Sequence, residues 1–302
     1  MNYSNIVGNE KIKEYLKDQI INKNVLHSYL FSGINSIGKL MISKEFAKDI
    51  LCLQKGNNSC DCKSCISFDG KNHPDFNIIN ENSETIKIEM IRGLTNKIIE
   101  KPILSEKKVY IINDADKMTV EAQNCLLKTL EEPPEFAVLI LITANENLLL
   151  NTIKSRCMKV NFEPISDEEM EKYCKNTLGY DNISFQTIKS FGGSIGKAIE
   201  FYENNEDYKV IENIINQIKD KDITEIMTNS KILYNKEKIY DYLDYLINYL
   251  YIKSAEEKSF LYCIDYANKC INNLKSNGNF DMNLDMLLIK MWEEVNENSS
   301  RN

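Results

Sequence analysis

The chain of 302 residues is predicted to form an α/β domain with a parallel sheet, followed by a region built from helices only. Residues 1–163 alternate short β-rich runs with helical patterns, an alternation that is typical of parallel sheets. From residue 164 onward the apolar residues recur with a helical period. Only 11 glycines and 5 prolines are present, which favours helices over a loop-rich β-sandwich.

Three segments of the first region are predicted to be strands: Ser28–Ser32, Lys108–Ile112 and Ala137–Thr143. The last is continuously apolar, as expected of a strand that is covered on both faces. A helix is predicted over Lys39–Leu51, after the first strand. A second helix is predicted over Thr119–Glu131, where Thr119 can act as the N-cap and Pro133-Pro134 ends the segment.

The remaining sequence is predicted to be helical. Ser166–Glu169 has the pattern of a capped helix start, with acidic residues in the first turn. A later helix carries an apolar stripe from Ile239 to Leu250, flanked by five tyrosines at positions 240, 242, 245, 249 and 251. Two interpretations of this aromatic helix stay open at this point: a buried core element or a subunit interface.

A phosphate-loop pattern lies between the first strand and its helix. The segment Gly33-Ile-Asn-Ser-Ile-Gly38-Lys39-Leu40 matches G-x-x-x-x-G-K-[ST] at every position except the last. Gly33, Gly38 and Lys39 suit a loop whose backbone N–H groups hold phosphates at a helix N-terminus. Leu40 replaces the hydroxyl that would bind Mg²⁺, so the metal side of the site is incomplete.

The strand Lys108–Ile112 ends with a related defect. An ATPase needs an aspartate directly after the apolar run, and Asn113 stands there, followed by Asp114 as the remaining acidic residue of a degenerate Walker B segment. Two losses on the metal side favour a relic of an ATPase site over a simple glycine turn. Nucleotide binding stays open, and efficient hydrolysis is not expected.

Four of the nine cysteines are clustered, at Cys52, Cys60, Cys62 and Cys65. Gly56 and the segment 57–59 between them are predicted to form turns. Four thiolates at this spacing are typical of a closed, structural Zn²⁺ site. Free thiols and an iron–sulfur cluster are the alternatives, and the latter has different ligand spacings. His73 follows nearby and is predicted to be a turn residue, because four cysteines already complete the metal site.

Charge and hydropathy limit the classes of function. The net charge of −8 disfavours a protein whose main task is to bind a phosphate backbone. No apolar stretch approaches the roughly 18–20 residues needed to cross a bilayer. Residues 1–11 lack the pattern of a signal peptide, so we expect a cytoplasmic protein without a membrane partner.

Several motifs together resemble the delta-prime family of clamp-loader subunits of bacterial DNA polymerase III, which belongs to the AAA+ class. They lie within residues 1–200: His27–Gly33, Lys108–Met118, Glu121–Pro134, Ser155–Cys157 and Gly193–Ala198. The resemblance implies an AAA+ domain over 1–163 with a zinc module at 52–66, a helical lid domain over 164–206 and a helical collar domain over 207–302.

The resemblance also implies a function and partners. Such a subunit works in a five-membered ring with tau/gamma and delta subunits, which opens the sliding clamp and loads it on primed DNA. Arg156, which alone would be interpreted as a surface arginine at a helix end, would act as an arginine finger toward a neighbouring subunit's ATP. Gly196 stands where ATPase members carry a sensor arginine.

Two other functions remain open from the sequence. Lys39 favours an active, ATP-hydrolysing subunit of the tau/gamma type, whereas Leu40, Asn113 and Gly196 oppose it. A stand-alone zinc protein that binds nucleic acid is opposed by the acidic balance of charges. DNA-directed DNA polymerase activity is expected of the holoenzyme and not of this chain itself.

Overall fold

The computed structural model describes residue 3 and residues 6–54, 60–80, 84–179, 183, 185–276 and 278–298. It divides into two compact units, Met1–Ser166 and Asp167–Asn302. The boundary lies close to position 163, where the sequence pattern changes to helices only. The finer division of the second unit into a lid and a collar stays a prediction.

The first unit is built on a five-stranded parallel sheet in the order β2-β3-β4-β1-β5. The strands are β1 (Ser28–Ser32), β2 (Phe76–Ile79), β3 (Lys108–Ile112), β4 (Ala137–Thr143) and β5 (Met158–Asn161). The three predicted strands have the expected bounds. The sequence analysis missed β2 and β5, which are the two edge strands.

Helices cover both faces of this sheet. They are α1 (Glu10–Ile21), α2 (Lys39–Leu51), α3 (Lys63–Asp69), α4 (Ile88–Ile98), α5 (Val120–Glu131) and α6 (Asn151–Lys154). The predicted helices are confirmed as α2 and α5. The Thr119 hydroxyl caps α5 by accepting a hydrogen bond of 3.3 Å from the backbone N–H of Ala122.

The alternation of side chains along each strand creates two cores. Val138 and Ile140 of β4 pack with α1 and α2 on one face, whereas Leu139 and Leu141 pack with α4 and α5 on the other. All seven residues of β4 are buried. This two-sided burial explains why β4 is continuously apolar.

The described part of the second unit is entirely helical. Its helices are α7 (Asp167–Asn176), α8 (Phe185–Ser190), α9 (Ile195–Glu203), α10 (Asn205–Asn216), α11 (Ile223–Asn229), α12 (Ile239–Lys253), α13 (Ser259–Lys275) and α14 (Phe280–Asn298). Among the helices in the described ranges, none combines the length and apolarity needed to cross a membrane.

The tyrosines of α12 divide by exposure. Tyr242, Tyr245 and Tyr249 are buried, whereas Tyr240 and Tyr251 are exposed. The hydroxyl of Tyr245 donates a hydrogen bond of 2.6 Å to Glu212 of α10, and that of Tyr242 donates to an Asp207 carboxylate oxygen. The buried three therefore form part of the core of the second unit, with each polar tip satisfied.

Candidate functional site

The predicted phosphate loop connects the carboxyl end of β1 to the start of α2. Gly38 is the N-cap of α2 and has a left-handed backbone with φ of 91°. Gly33 has φ of 152°, and a Cβ atom there would lie 2.7 Å from the backbone oxygen of Phe162. Both positions therefore require glycine.

Lys39 is folded back onto this loop. Its Nζ atom donates hydrogen bonds of 2.6 Å to the carbonyl oxygens of Gly33 and Ile34, and the residue is only 6% exposed. Burial lowers the pKa of Lys39 to about 8, although the nearby carboxylates of Asp114 and Asp116 act in the opposite direction. The lysine that would meet a phosphate is thus bound to the loop itself.

The metal side of the loop does not fit Mg²⁺ as an ATPase site would hold it. Leu40 is half-buried and packs against the core on the α1 and α2 face. The Asn113 amide Nδ2 donates to the backbone oxygen of Asn80 at 3.4 Å, and the Asn80 amide donates to the backbone oxygen of Asn113 at 3.3 Å. Asp114 has a left-handed backbone, and its carboxylate lies 3.3 Å from Nζ of Lys117. Leu40 and Asn113 therefore leave this loop without the ligands that hold Mg²⁺ in an ATPase.

Asp116 is a residue of this site that the sequence analysis missed. Its Oδ1 atom accepts hydrogen bonds from the Thr143 hydroxyl at 2.8 Å and from the backbone N–H of Ala144 at 3.2 Å. It therefore connects the carboxyl ends of β3 and β4 beside the phosphate loop. The only indication of this role in the sequence is the place of Asp116 in the segment Asn113–Asp116, and that segment does not identify Thr143 as its partner.

Arg156 lies at the amino end of the parallel strands, whereas the phosphate loop lies at their carboxyl end. It directly precedes β5, and its backbone oxygen accepts a hydrogen bond of 2.8 Å from the hydroxyl of Ser28, the first residue of β1. The loop begins at the other end of β1, five residues further on. At about 3.3 Å per residue the two sites are roughly 16 Å apart, so Arg156 cannot serve the phosphate loop of its own chain.

The guanidinium of Arg156 is held by three groups of its own chain. Nη2 lies 2.6 Å from Oε1 of Glu131, and Nη1 donates to the Thr152 carbonyl at 2.9 Å and to the Ser155 hydroxyl at 3.3 Å. The side chain is 34% exposed. It lines a cavity of about 300 Å³ together with Glu131, His27, Leu130, Pro133 and Met158.

The four clustered cysteines form a group that could hold a metal ion. The Sγ atoms of Cys52, Cys60, Cys62 and Cys65 all lie within 4.8 Å of one another. Burial acts to raise the pKa of Cys62, but hydrogen bonds from the backbone N–H groups of Cys65 and Leu53 lower it to about 6. Four convergent sulfur donors fit a tetrahedral site with metal–sulfur distances near 2.3 Å. The turn predicted at Gly56 and 57–59 lies outside the described residues.

His73 is buried at the centre of a polar network beside the cysteines. Its Nε2 atom lies 2.9 Å from the Ser64 hydroxyl, and its Nδ1 atom accepts from the backbone N–H of Asp75 at 3.0 Å. The hydroxyls of Ser64 and Ser105 both donate to the backbone oxygen of Leu51. Leu51 and Ser64 are the neighbours of two of the cysteines, so the network fastens the cysteine segment to the sheet domain.

Comparisons with known proteins define first the class and then the family. A solved structure from Thermotoga maritima, described as a DNA polymerase III, gamma subunit-related protein, aligns over 94% of this chain and 98% of that chain, with a TM-score of 0.52 and 18% identity. Together with the parallel sheet and the phosphate loop, this likeness identifies the fold as AAA+. The family model described as "DNA polymerase III, delta subunit" matches residues 8–166, more than half of the chain. The chain therefore belongs to this family of clamp-loader subunits.

Curated relatives include two kinds of subunit. The DNA polymerase III subunit delta' of Bacillus subtilis is 32% identical over 200 residues, which are 65% of this chain and 60% of that protein. The subunit tau/gamma of Haemophilus influenzae is 31% identical over 186 residues, which are 61% of this chain and 27% of that protein. The chain thus matches less than two thirds of the length of these relatives.

Proposed function

We propose that this chain is a non-motor, delta-prime-type subunit of a replicative clamp loader. In this role it helps a pentameric ATPase ring to open the sliding clamp and load it on primed DNA. One observation carries the proposal: Leu40 and the Asn113–Asn80 pair stand where the phosphate loop of an ATPase would hold its metal, whereas Arg156 is partly exposed at the opposite end of the strands.

The contacts of the loop support a subunit that does not hydrolyse ATP. Phosphoryl transfer depends on a metal ion that neutralises the charge of the phosphates. Leu40 offers no ligand atom for that ion, and the Asn113 amide is engaged with Asn80. Gly196, in α9, has no side chain that could act as a sensor. ATP and Mg²⁺ are therefore not proposed as resident cofactors.

The position of Arg156 supports action on a neighbouring subunit. A guanidinium at the end of the strands opposite the phosphate loop can meet only nucleotide that another chain holds. There it would neutralise the charge that develops on the transferred phosphate, an effect worth about 10³–10⁵ in turnover where one arginine is the principal finger.

We propose that Cys52, Cys60, Cys62 and Cys65 hold a structural zinc ion. Four thiolates leave the metal no open position for catalysis, so the ion would crosslink the ends of α2 and α3. The expected result of elemental analysis is one zinc per chain in protein purified without added metal. Zinc-free protein with an unchanged fold would contradict this assignment.

The proposed partners are the tau/gamma and delta subunits and the sliding clamp, with primed DNA reached through the assembled complex. In this role the protein is cytoplasmic. Residues 1–163 would form the AAA+ domain, 164–206 the lid and 207–302 the collar that joins the ring. The change in architecture at 166/167 supports the first of these boundaries.

The test is reconstitution with the ring partners and the variants Arg156→Ala and Arg156→Lys. For both variants we expect normal assembly but reduced DNA-stimulated ATP hydrolysis and clamp loading. Lysine is not expected to substitute for arginine, because it lacks the planar guanidinium with its paired donors. Lys154→Ala removes a cation from α6 and is the matched control. Unchanged loading with Arg156→Ala would contradict the proposal, and failed assembly would make Arg156 an interface residue instead.

An active tau/gamma-type ATPase is the second candidate. It is favoured by the intact Gly33, Gly38 and Lys39 and by the similarity to the tau/gamma subunit of Haemophilus influenzae. ATP turnover by the purified chain with DNA would decide for it. A stand-alone zinc protein that binds nucleic acid would instead show strongly salt-dependent DNA affinity on its own.

A further inference from the structure

The ion pair between Arg156 and Glu131 connects two elements that are distant in sequence. Glu131 is the last residue of α5, and Arg156 lies in the turn between α6 and β5. Oε1 of Glu131 is 2.6 Å from Nη2 of Arg156, and the two side chains are 49% and 34% exposed. Both are therefore accessible to a neighbouring molecule while they remain in contact.

The remaining contacts of Arg156 determine which part of its guanidinium is available. Nη1 is bound to the Thr152 carbonyl and the Ser155 hydroxyl, and Nη2 lies against Glu131. Within the ranges that the structure describes, Nε has no partner. The two terminal nitrogens, Nη1 and Nη2, are thus held by groups of the same chain, and the Nε side of the guanidinium is available to an anion.

The backbone of Arg156 is also fixed, because its carbonyl oxygen accepts from Ser28 at the start of β1. A long side chain on a fixed backbone still has several rotamers, and ordering it costs conformational entropy. Glu131 is the one carboxylate among the residues that line the cavity beside Arg156. Its charge and position favour a single orientation of the guanidinium.

We propose that Glu131 is a positioning residue, which orients Arg156 so that its Nε side faces the phosphate held by the neighbouring subunit. The inference rests on the proposed function, in which Arg156 acts in trans. Glu131 does not contact the nucleotide in this scheme and acts only through the guanidinium.

A mispositioned arginine weakens contacts that form in the transition state, so it lowers kcat more than it raises KM. An exposed ion pair is a weak interaction, and the expected loss on Glu131→Ala is therefore about two- to fivefold in kcat. Glu132→Ala is the matched control, because Glu132 is the next residue, is exposed and carries the same charge.

The experiment is a double-mutant cycle in the complex rebuilt from this chain and its tau/gamma and delta partners. DNA-stimulated ATP hydrolysis is measured over a range of ATP concentrations for Glu131→Ala, Arg156→Ala, the double variant and Glu132→Ala. We expect Glu131→Ala to lower kcat at nearly constant KM, to have no further effect in the Arg156→Ala background, and Glu132→Ala to leave both constants unchanged.

The outcomes separate the two proposals. If Arg156→Ala lowers turnover but Glu131→Ala does not, the positioning role is wrong and the proposed function stands. Equal losses from Glu131→Ala in both backgrounds would show that Glu131 acts independently of Arg156 and would also overturn the positioning role. If Arg156→Ala itself leaves turnover unchanged, the proposed function and this inference are both wrong.

Discussion

The hydroxyl of Thr143 donates a hydrogen bond of 2.8 Å to Oδ1 of Asp116. This contact joins the carboxyl ends of β4 and β3, at the same end of the sheet as the phosphate loop. Asp116 is also one of the two carboxylates that favour the charged form of Lys39. The degenerate site has therefore kept an ordered polar framework around its lysine.

Replacing Thr143 by valine keeps the shape of a fully buried side chain but removes both this hydrogen bond and the acceptor of the Asn145 backbone N–H at 3.0 Å. Hydrogen bonds to charged groups stabilise proteins by about 1.5–3 kcal/mol, and we expect a loss near the lower end because Asp116 keeps the Ala144 N–H. Urea denaturation measures the change. Thr95→Val, at a partly exposed position of α4 where the hydroxyl donates to the Arg92 carbonyl, is the control, and an equal loss there would contradict the assigned role.

Lys39 predicts a specific pH dependence of stability. Its folded pKa of about 8 lies below the ordinary value of 10.5, so the unfolded chain binds a proton that the folded chain releases between these values. The resulting cost, of the order of 3 kcal/mol, is fully present below pH 8 and is relieved as the pH rises to 10.5. We expect the free energy of unfolding of the wild type, relative to Lys39→Met, to increase over this window. A constant difference between the two proteins would contradict the lowered pKa.

Restoring the metal ligands is expected to be insufficient for ATP hydrolysis. Asn113→Asp would place a carboxylate beside the backbone oxygen of Asn80, which now accepts a hydrogen bond from the Asn113 amide. We expect the double variant Leu40→Ser with Asn113→Asp to bind Mg-nucleotide better than the wild type, but to be less stable and to show no turnover alone. Calorimetric titration, urea denaturation and a phosphate-release assay measure these three quantities. Turnover by the isolated variant would show that the metal side was the only defect.

Metal removal is expected to loosen the cysteine segment before the sheet. Ser64 and Leu51 adjoin Cys65 and Cys52 and belong to the network around His73. Chelation should therefore increase hydrogen exchange in α3 and in residues 102–105, while β1 and β4 stay protected. Mass spectrometry of exchanged peptides measures the effect. Uniform loss of protection across the sheet would mean that the metal holds the whole unit together.

The second unit offers a test of its buried tyrosines. Tyr245→Phe removes the donor to Glu212, whose carboxylate would keep the Thr187 hydroxyl at 3.2 Å as a partner. We expect a loss of about 1.5–3 kcal/mol in the free energy of unfolding. Tyr251→Phe, on a residue that is 69% exposed, should change it by less than about 0.5 kcal/mol. Similar effects of the two substitutions would contradict the burial of the Tyr245 hydroxyl.

The strands that could be predicted from sequence are those buried on both faces. β1, β3 and β4 consist of buried residues at almost every position, which the composition of the segments reveals. β5 is an edge strand in which only Val160 is buried, and β2 lies at the other edge with a mixed pattern. Edge strands of four residues carry too little hydrophobic signal to be distinguished from loops.

The candidate site was predictable where its residues are close in sequence. The cysteine cluster and the phosphate loop are both local patterns. The pairs Arg156–Glu131 and Asp116–Thr143 join separate elements, and sequence spacing contains no information about such contacts. The hydrogen bond from Lys39 to the Gly33 carbonyl depends on the path of the loop backbone, which the sequence motif alone does not describe.

The placement of the phosphate loop and Arg156 at opposite ends of β1 has a consequence for symmetry. A two-fold, self-complementary dimer formed through either end of the strands would bring loop against loop, or arginine against arginine. A head-to-tail contact between opposite ends brings the arginine of one chain to the loop of the next, and repeated contacts of that kind produce a closed ring or an open helical filament. A chain whose loop and arginine lie at opposite ends is thus suited to an assembly in which each member contacts its two neighbours through different surfaces.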